Sequence, residues 1–167
     1  MPLSGICQGG QPLISYNYGA RKLDRVKEAF FCQFFTCVGY TVVFWLVLMT
    51  APDFFAGIFT SDADLVAYTA WAIRIFLALG FSVGFQISCQ QAFMALGQAK
   101  ISLIMALLRK VFLLIPMIFI LPNFFADKAF AVFLAEPVSD IIAAAVTTFM
   151  FFRFFIRMLK EGKAAQQ

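Results

Sequence analysis

Histidine is absent from this 167-residue chain, and charged side chains make up only 13% of it. Without imidazole, the chain lacks the side chain that most often acts as a general base or a metal ligand. Its four cysteines show no metal-like CxxC spacing, and the sequence contains no recognisable pairing of a nucleophile with a base. We therefore expect neither an enzyme nor a metal site, and no organic cofactor.

Polar residues are scarce because the chain is 62% hydrophobic and contains 23 phenylalanines. A soluble domain is nearer half apolar and a quarter charged. This composition predicts an integral membrane protein, with the lipid bilayer as its surroundings. The net charge is +4, but the basic residues lie at the edges of apolar runs, so they indicate membrane topology and no nucleic-acid partner.

Four apolar runs are long enough to cross a hydrocarbon core of about 30 Å as helices, which alone satisfy every backbone group within one segment. These runs occupy residues 29–51, 66–96, 102–122 and 129–152, within a membrane region at 29–158. Residues 1–20 are predicted to be the end of a fifth, truncated helix, 21–28 a basic cytoplasmic loop and 159–167 a cytoplasmic tail. The predicted fold class is an all-α transmembrane helix bundle.

Basic residues concentrate in the segments that four spans would bring to one side of the membrane. These bases are Arg21, Lys22, Arg25, Lys27, Lys100, Arg153, Arg157, Lys160 and Lys163. The loops on the opposite side contain only one base, Lys128. Because cytoplasmic loops are enriched in lysine and arginine, we expect the basic loop and the C-terminus to lie in the cytoplasm.

Five ionisable residues fall inside the predicted spans: Arg74, Arg109, Lys110, Glu136 and Asp140. A charge at membrane depth is costly, so it normally has a partner or a function. Depth along the helices predicts that Arg74 meets Glu136 and that Arg109 meets Asp140. Glu136 and Asp140 are four residues apart and share a helix face. They are candidates for cation or proton coupling; alternatively, the pairs only hold helices in register.

Amide side chains form a second polar feature, inside the predicted span at 66–96. Gln86 and Gln90 are four residues apart and share a face of that helix. Such a seam is typical of helices that pack closely through hydrogen bonds. An amide-lined substrate cavity is the alternative, so both glutamines are also substrate-site candidates.

The opening of the chain carries the most specific motif. Residues 10–20, GQPLISYNYGA, followed by Arg25-Val26, resemble the G-x-Q-P-x-x-S-Y-N-x-G-A…R-V signature of the multidrug and toxic compound extrusion (MATE) family. Three later stretches agree with the same family: FTSD at 59–62, QAFMALGQAKIS at 91–102, and the Ile-Pro and Leu-Pro pairs within 115–122. The resemblance covers nearly the whole chain.

This resemblance implies most of the C-terminal lobe of a twelve-helix, multi-pass transporter of the cell (inner) membrane, with the N-terminal lobe as the missing partner. Family members export small cationic, amphipathic drugs in exchange for sodium or protons, and a chain of this length would be incomplete alone. The signature would form a gate or hinge at the cytoplasmic face, with Gly19 ending the helix at positive φ. The residues expected to form it are Gln11, Pro12, Tyr16, Asn17 and Gly19.

Two departures from the family pattern leave the coupling ion open. The helix at 66–96 has no acidic residue, and the glycine usual before the last helix is replaced near Ala126-Asp127-Lys128. A lipid-linked sugar flippase of the same wider superfamily is an alternative, because Arg74, Arg109 and Lys110 would suit a cationic cavity. A structural membrane subunit without transport activity is a further alternative.

Overall fold

The computed structural model describes residues 2–125 and 127–164, and this part of the chain is helical without strands. Its helices are α1 (Pro2–Gly19), α2 (Leu23–Thr50), α3 (Pro52–Gly57), α4 (Ala63–Phe76), α5 (Ser82–Ala95), α6 (Ala99–Leu107), α7 (Ile115–Ile120) and α8 (Lys128–Ala164). A π-helical segment, Leu108–Leu114, joins α6 to α7, and a 3₁₀ turn, Leu121–Asn123, follows α7. The predicted all-α class is confirmed. The described residues exclude Met1, Ala126 and residues 165–167. Ala126 belongs to the predicted departure from the family pattern, and residues 165–167 belong to the predicted cytoplasmic tail.

Three helical stretches of the described chain are long and apolar enough to cross a membrane: Leu23–Thr50, Ala99–Asn123 and Lys128–Gly162. They overlap three of the four predicted spans. The remaining predicted run, 66–96, is not one continuous helix as expected, because the structure divides it into α4 and α5. Whether this pair crosses the membrane as one span stays a prediction.

The break between α4 and α5 is a compact turn at residues 77–81. The Gly80 N–H donates to the Leu77 carbonyl and the Ser82 N–H to the Leu79 carbonyl, each at 2.9 Å, so the backbone follows an i→i+3 pattern there. The Trp45 indole N–H of α2 also donates to the Leu77 carbonyl, at 2.8 Å. Non-α backbone at membrane depth is tolerated only where protein or water satisfies it, and Trp45 supplies that partner from outside the break.

A second irregularity is the π-helical segment, whose seven residues lie just before Pro116 in α7. Proline has no N–H for the carbonyl four residues back, so regular α-helical bonding cannot continue through it. Wider π-helical turns commonly relieve such interruptions and are frequent at functional sites. The segment carries Arg109 and Lys110, two of the predicted intramembrane charges.

The turn after α1 corrects the role expected of Gly19. Gly19 is still helical, and the positive φ belongs to Arg21, at 57°. The Lys22 N–H donates to the Asn17 carbonyl at 2.9 Å, which closes a Schellman-type end with Arg21 in the left-handed position. The equivalent position after α5 is a glycine, Gly97, with φ 76°. The prediction that the helix ends at Gly19 is confirmed, but the positive φ expected there is wrong, because the left-handed residue lies two positions beyond the helix end.

The largest apolar core joins α1, α2, α5 and α8 near the ends that the sequence predicts to be cytoplasmic. Phe30 of α2 is fully buried, and its ring centroid lies 4.6 Å from Phe151 and 5.0 Å from Phe155 of α8. Phe93 of α5 meets Phe151 edge-to-face at 5.0 Å. Such ring pairs fix the helix ends relative to one another, while the intramembrane charges lie two or more turns away along α8.

Candidate functional site

A cavity of about 330 Å³ lies where three helix irregularities converge. The break between α4 and α5 contributes Leu77 and Gly80, the π-helical segment contributes Arg109, and α8 contributes Glu136 and Asp140 on either side of Pro137. Interrupted helices free backbone groups and side chains to face a common space, and transporters commonly place ligand sites at such breaks. We call this space the charged cavity.

The aromatic part of the charged cavity comes from α2 and α4. Tyr40 and Phe44 lie one turn apart on α2, with their rings stacked at 6.0 Å, and Phe76 closes α4 beside them. Aromatic faces attract cations, and they also exclude water from apolar parts of a ligand. The lining therefore combines aromatic surface with ionised groups.

Arg109 and Asp140 form the shortest ion pair of the site. The Arg109 Nε donates to Asp140 Oδ1 at 2.6 Å, and Nη2 donates to Oδ2 at 2.9 Å. This planar two-bond arrangement is the strongest geometry for a guanidinium and a carboxylate. The side chain of Asp140 is only 9% exposed, so this carboxylate is both paired and buried. The meeting of Arg109 and Asp140 predicted from depth is confirmed.

Glu136 is held differently. Lys110 Nζ donates to Glu136 Oε1 at 2.9 Å, and Arg109 Nη2 lies 3.7 Å from the same oxygen. The Glu136 side chain is 13% exposed, but that of Lys110 is 55% exposed. Glu136 thus has one hydrogen-bonded partner, and that partner is a flexible ammonium group with access to the surroundings. The four side chains carry two positive and two negative charges, so the cluster is formally neutral.

The local structure of α8 explains why both carboxylates face the π-helical segment. Residues four apart lie on one face of a helix, and Pro137 continues α8 while removing one backbone donor. The Ser139 hydroxyl donates to the Glu136 carbonyl at 2.9 Å and supports this turn. The two bases, Arg109 and Lys110, therefore occupy consecutive positions of the π-helical segment. The two acids that they contact, Glu136 and Asp140, lie one turn apart on α8.

The predicted pairing of Arg74 with Glu136 is wrong. Arg74 Nη2 instead lies 3.7 Å from Asp53 Oδ2 of α3, and both side chains are exposed. Depth along a helix gives a height but not a direction around the axis, so it did not determine which acid Arg74 faces. The observed partner of Glu136 is Lys110, the neighbour of Arg109, and this contact was not predicted from the sequence. The sequence did contain a signal for it, because two adjacent bases lie on one predicted span and two acids four residues apart lie on the next.

Gln86 and Gln90 do not line the charged cavity. The Gln90 side-chain amide donates to the Ser102 carbonyl, and the Ser102 hydroxyl donates to the Gln90 carbonyl, both at 3.2 Å. This reciprocal pair joins α5 to α6, as expected for packing. Gln86 is buried in α5. A substrate role for either glutamine stays a prediction.

The signature motif lies at the far end of α1 from the charged cavity. Pro12 is accommodated inside α1, and the Asn17 side-chain amide donates to the Leu13 carbonyl at 2.8 Å, which supports the last turn. Gln11 is partly buried, and Tyr16 projects outward. The motif thus builds a helix end, and its role as gate or hinge stays a prediction.

Comparison with protein families gives a match to the family described as MatE over residues 1–120. Among curated proteins, the multidrug export protein MepA of Staphylococcus aureus strain MSSA476 is 28% identical over 123 residues, covering 74% of this chain and 27% of that protein. MepA of Staphylococcus saprophyticus matches with the same identity and the same coverage of both chains. The chain spans about a quarter of the length of these relatives.

Solved structures give the same family. The MATE multidrug transporter DinF-BH, solved as a complex, superposes with a TM-score of 0.84 and 31% identity, over 92% of this chain and 34% of that one. An inward-facing MATE family transporter of the MOP superfamily gives a TM-score of 0.86 at 18% identity, over 96% of this chain and 37% of that one. The second likeness concerns the fold alone.

Proposed function

Because this chain belongs to the MATE family of transporters, we propose that it is the C-terminal part of an antiporter that exports cationic, amphipathic compounds in exchange for sodium or protons. The family consists of multi-pass membrane transporters and not enzymes, which confirms the expectation that the chain is not an enzyme. The observation that carries the proposal is the charged cavity, where two carboxylates and three aromatic rings line one space beside two helix interruptions, the break between α4 and α5 and the π-helical segment.

The lining suits a ligand with a positive charge and an apolar body. Glu136 and Asp140 supply negative charge, and Tyr40, Phe44 and Phe76 supply aromatic surface. A buried carboxylate attracts a cation strongly because water does not screen it. The aromatic rings add a contribution of about 0.5–2 kcal/mol to the binding of a cation, in addition to the apolar contact.

The two carboxylates would have different roles. Asp140 is fixed by two short bonds to Arg109, so releasing it would leave this largely buried arginine with only its longer, 3.7 Å contact to Glu136, which is costly. Glu136 has a single hydrogen-bonded partner, Lys110, whose side chain is 55% exposed and therefore less constrained than that of Arg109. We assign Glu136 as the carboxylate that contacts the incoming cation or proton, and Asp140 as the group that holds Arg109 in place.

Displacement of Lys110 would couple the two transported species. A drug cation at Glu136 would replace the lysine contact one charge for one charge, and a sodium ion or a proton would do the same. Because each of these cations would compensate the same Glu136 charge, they would compete for it, and such competition is what an exchanger requires. No organic cofactor is needed in this scheme.

Transport would also require the N-terminal lobe. Repeat-built transporters move a ligand by rocking one lobe against the other around a central site. This chain covers 34% and 37% of the solved transporters named above, so it supplies one side of such a path. On this basis the chain alone binds the cation without completing the transport cycle, and the basic loop and C-terminus face the cytoplasm.

A lipid-linked sugar flippase is the second candidate, and the charged cavity disfavours it. A diphosphate-linked sugar needs an excess of positive charge, whereas Arg109 in this cavity faces two carboxylates. Arg74, which would have added to a cationic cavity, instead pairs with Asp53 on the surface.

Binding of a permanently charged, amphipathic monocation tests the proposal. We expect tetraphenylphosphonium to bind the purified full chain in detergent and to quench Trp45, which bonds to the cavity residue Leu77. Uncharged triphenylphosphine oxide should bind at least about tenfold more weakly, because the carboxylates then contribute nothing. Glu136→Gln should weaken binding of the cation, whereas Glu28→Gln, which removes an exposed acid of α2, should not. Equal affinities of the wild type and Glu136→Gln would reject the assignment of Glu136.

A further inference from the structure

We propose that a second cavity, of about 760 Å³, at the ends of α1 and α8, binds the phosphate headgroup of an anionic phospholipid. Its polar lining includes Arg21 in the α1–α2 turn and Arg157 in α8. Its apolar lining includes Leu23, Phe154 and Met158. We call it the basic cavity. It is distinct from the charged cavity, and this inference does not depend on the proposed transport function.

The basic cavity exists because the end of α8 packs against the start of α2. Gly162 of α8 touches the Leu23 side chain so closely that any larger residue there would displace it. This contact brings the α1–α2 turn beside the last turns of α8. Arg21 has a left-handed backbone conformation in that turn, and Arg157 lies one turn before Glu161 on α8. The walls are therefore built from two helix ends and not from one flexible segment.

Charge at this end of the molecule favours an anion. Residues 21–28 carry four bases and two acids, and residues 153–162 carry three bases and one acid, which leaves an excess of four positive charges. Anionic lipids attract such clusters, and lysine and arginine beside a membrane helix are typical of lipid recognition. The orientation predicted from the sequence puts this end at the cytoplasmic leaflet, which is the anionic one.

The guanidinium of Arg157 has capacity to bind a phosphate. Its Nε donates to Glu161 Oε1 at 2.7 Å, and its side chain is 80% exposed. An arginine has five N–H donors, so four remain after this bond. Guanidinium groups match phosphate oxygens with paired bonds. Glu161 therefore both orients Arg157 and competes with an incoming anion for it.

The apolar lining favours a lipid over a soluble phosphate. Phe154 and Met158 lie one turn apart on α8, and together with Leu23 they give the basic cavity an apolar wall beside its arginines. Tyr18, which also lines the basic cavity, is of the type that lies at headgroup depth in membrane proteins. A phosphodiester at the rim would leave acyl chains against these apolar side chains, whereas inorganic phosphate would use the rim alone.

Native mass spectrometry of the full chain, released from detergent micelles, tests the proposal. The protein is titrated with phosphatidylglycerol and, separately, with phosphatidylcholine of the same acyl chains. We expect phosphatidylglycerol to bind at least about fivefold more tightly, because only it carries a net negative charge. Equal adduct formation by the two lipids would overturn the proposal.

Variants locate the site and separate a lipid from a soluble anion. Arg157→Gln should lower the affinity for phosphatidylglycerol, Arg157→Lys should lower it less, and Glu161→Gln should raise it. Lys100→Gln removes an exposed base of α6 outside this cavity and is the matched control. If Arg157→Gln behaves like Lys100→Gln, the site assignment fails. If millimolar glycerol 3-phosphate displaces the lipid, the ligand is a soluble phosphate and the lipid assignment fails.

Discussion

Arg109 of the π-helical segment and Asp140 of α8 form a planar, two-bond ion pair, with distances of 2.6 and 2.9 Å. Both side chains are largely buried, and both belong to the wall of the charged cavity. The pair joins an interrupted helix to the proline-containing part of a regular one. It therefore fixes the position of the cavity wall against which the less constrained Glu136 lies.

Removing one partner of the Arg109–Asp140 pair should lower the stability of the protein more than removing both. Arg109→Met leaves the buried Asp140 uncompensated, and loss of one partner of a buried pair typically costs about 3–5 kcal/mol. The double variant Arg109→Met/Asp140→Leu should recover a large part of that loss. Thermal unfolding in a fixed detergent measures both effects. The exposed pair Arg74–Asp53 is the control, because removal of one of its partners should cost about 0–1 kcal/mol. Equal costs at the two pairs would contradict the burial argument.

Arg74 and Glu136 should behave independently in a double-mutant cycle. Arg74 pairs with Asp53, and Glu136 pairs with Lys110, so the two residues share no partner. The changes in unfolding free energy of Arg74→Ala and Glu136→Ala should therefore add within about 0.5 kcal/mol. The cycle of Lys110→Ala with Glu136→Ala is the positive control and should show coupling. Non-additivity between Arg74 and Glu136 would restore the pairing predicted from depth.

The indole N–H of Trp45 should stabilise the break between α4 and α5. Trp45→Phe keeps most of the ring volume but leaves the Leu77 carbonyl without its side-chain donor. Because this carbonyl keeps its bond from the Gly80 N–H, the variant loses one hydrogen bond without leaving the acceptor unpaired, which typically costs about 0.5–1.5 kcal/mol. Hydrogen exchange should become faster at residues 77–83 and remain unchanged in α8. Trp71→Phe is the matched control, because Trp71 packs among the rings of Tyr68, Phe130 and Phe133. Equal loss of stability in both variants would show that ring volume, and not the hydrogen bond, matters.

The features of the fold that were predictable from the sequence are those determined by residues close together in the chain. Long apolar runs predicted the three long helical stretches because membrane thickness limits helix length directly. The Arg109–Asp140 contact was predictable because both residues lie at similar depth on facing helices. The break at 77–81 was not, because its sequence is as apolar as its flanks and its stabilising donor, Trp45, lies on another helix.

Parts of the site also depended on geometry that no local pattern contains. Arg74 was assigned a wrong partner because depth along a helix does not give the direction in which a side chain points around its axis, and Asp53 of α3 lies on that side. Gly19 was assigned the wrong backbone conformation because the helix continues through it, and Arg21 occupies the left-handed position instead. The basic cavity was not anticipated, since its two walls lie more than one hundred residues apart in the sequence.

Gly97 should be the glycine of this chain whose replacement by alanine has a purely conformational cost. Its φ is 76°, and a Cβ there would meet no atom within 4 Å, so steric contact contributes nothing. Alanine in the left-handed region costs about 1–2 kcal/mol, and the turn that links α5 to α6 should be destabilised by that amount. Gly39→Ala is the matched control, because Gly39 lies inside α2 and its Cβ would also meet open space. In a helix interior alanine is better than glycine by about 0.5–1 kcal/mol, so this variant should gain stability. Thermal unfolding of the two variants should therefore shift in opposite directions, and a shared direction would mean that the backbone conformation assigned to residue 97 is wrong.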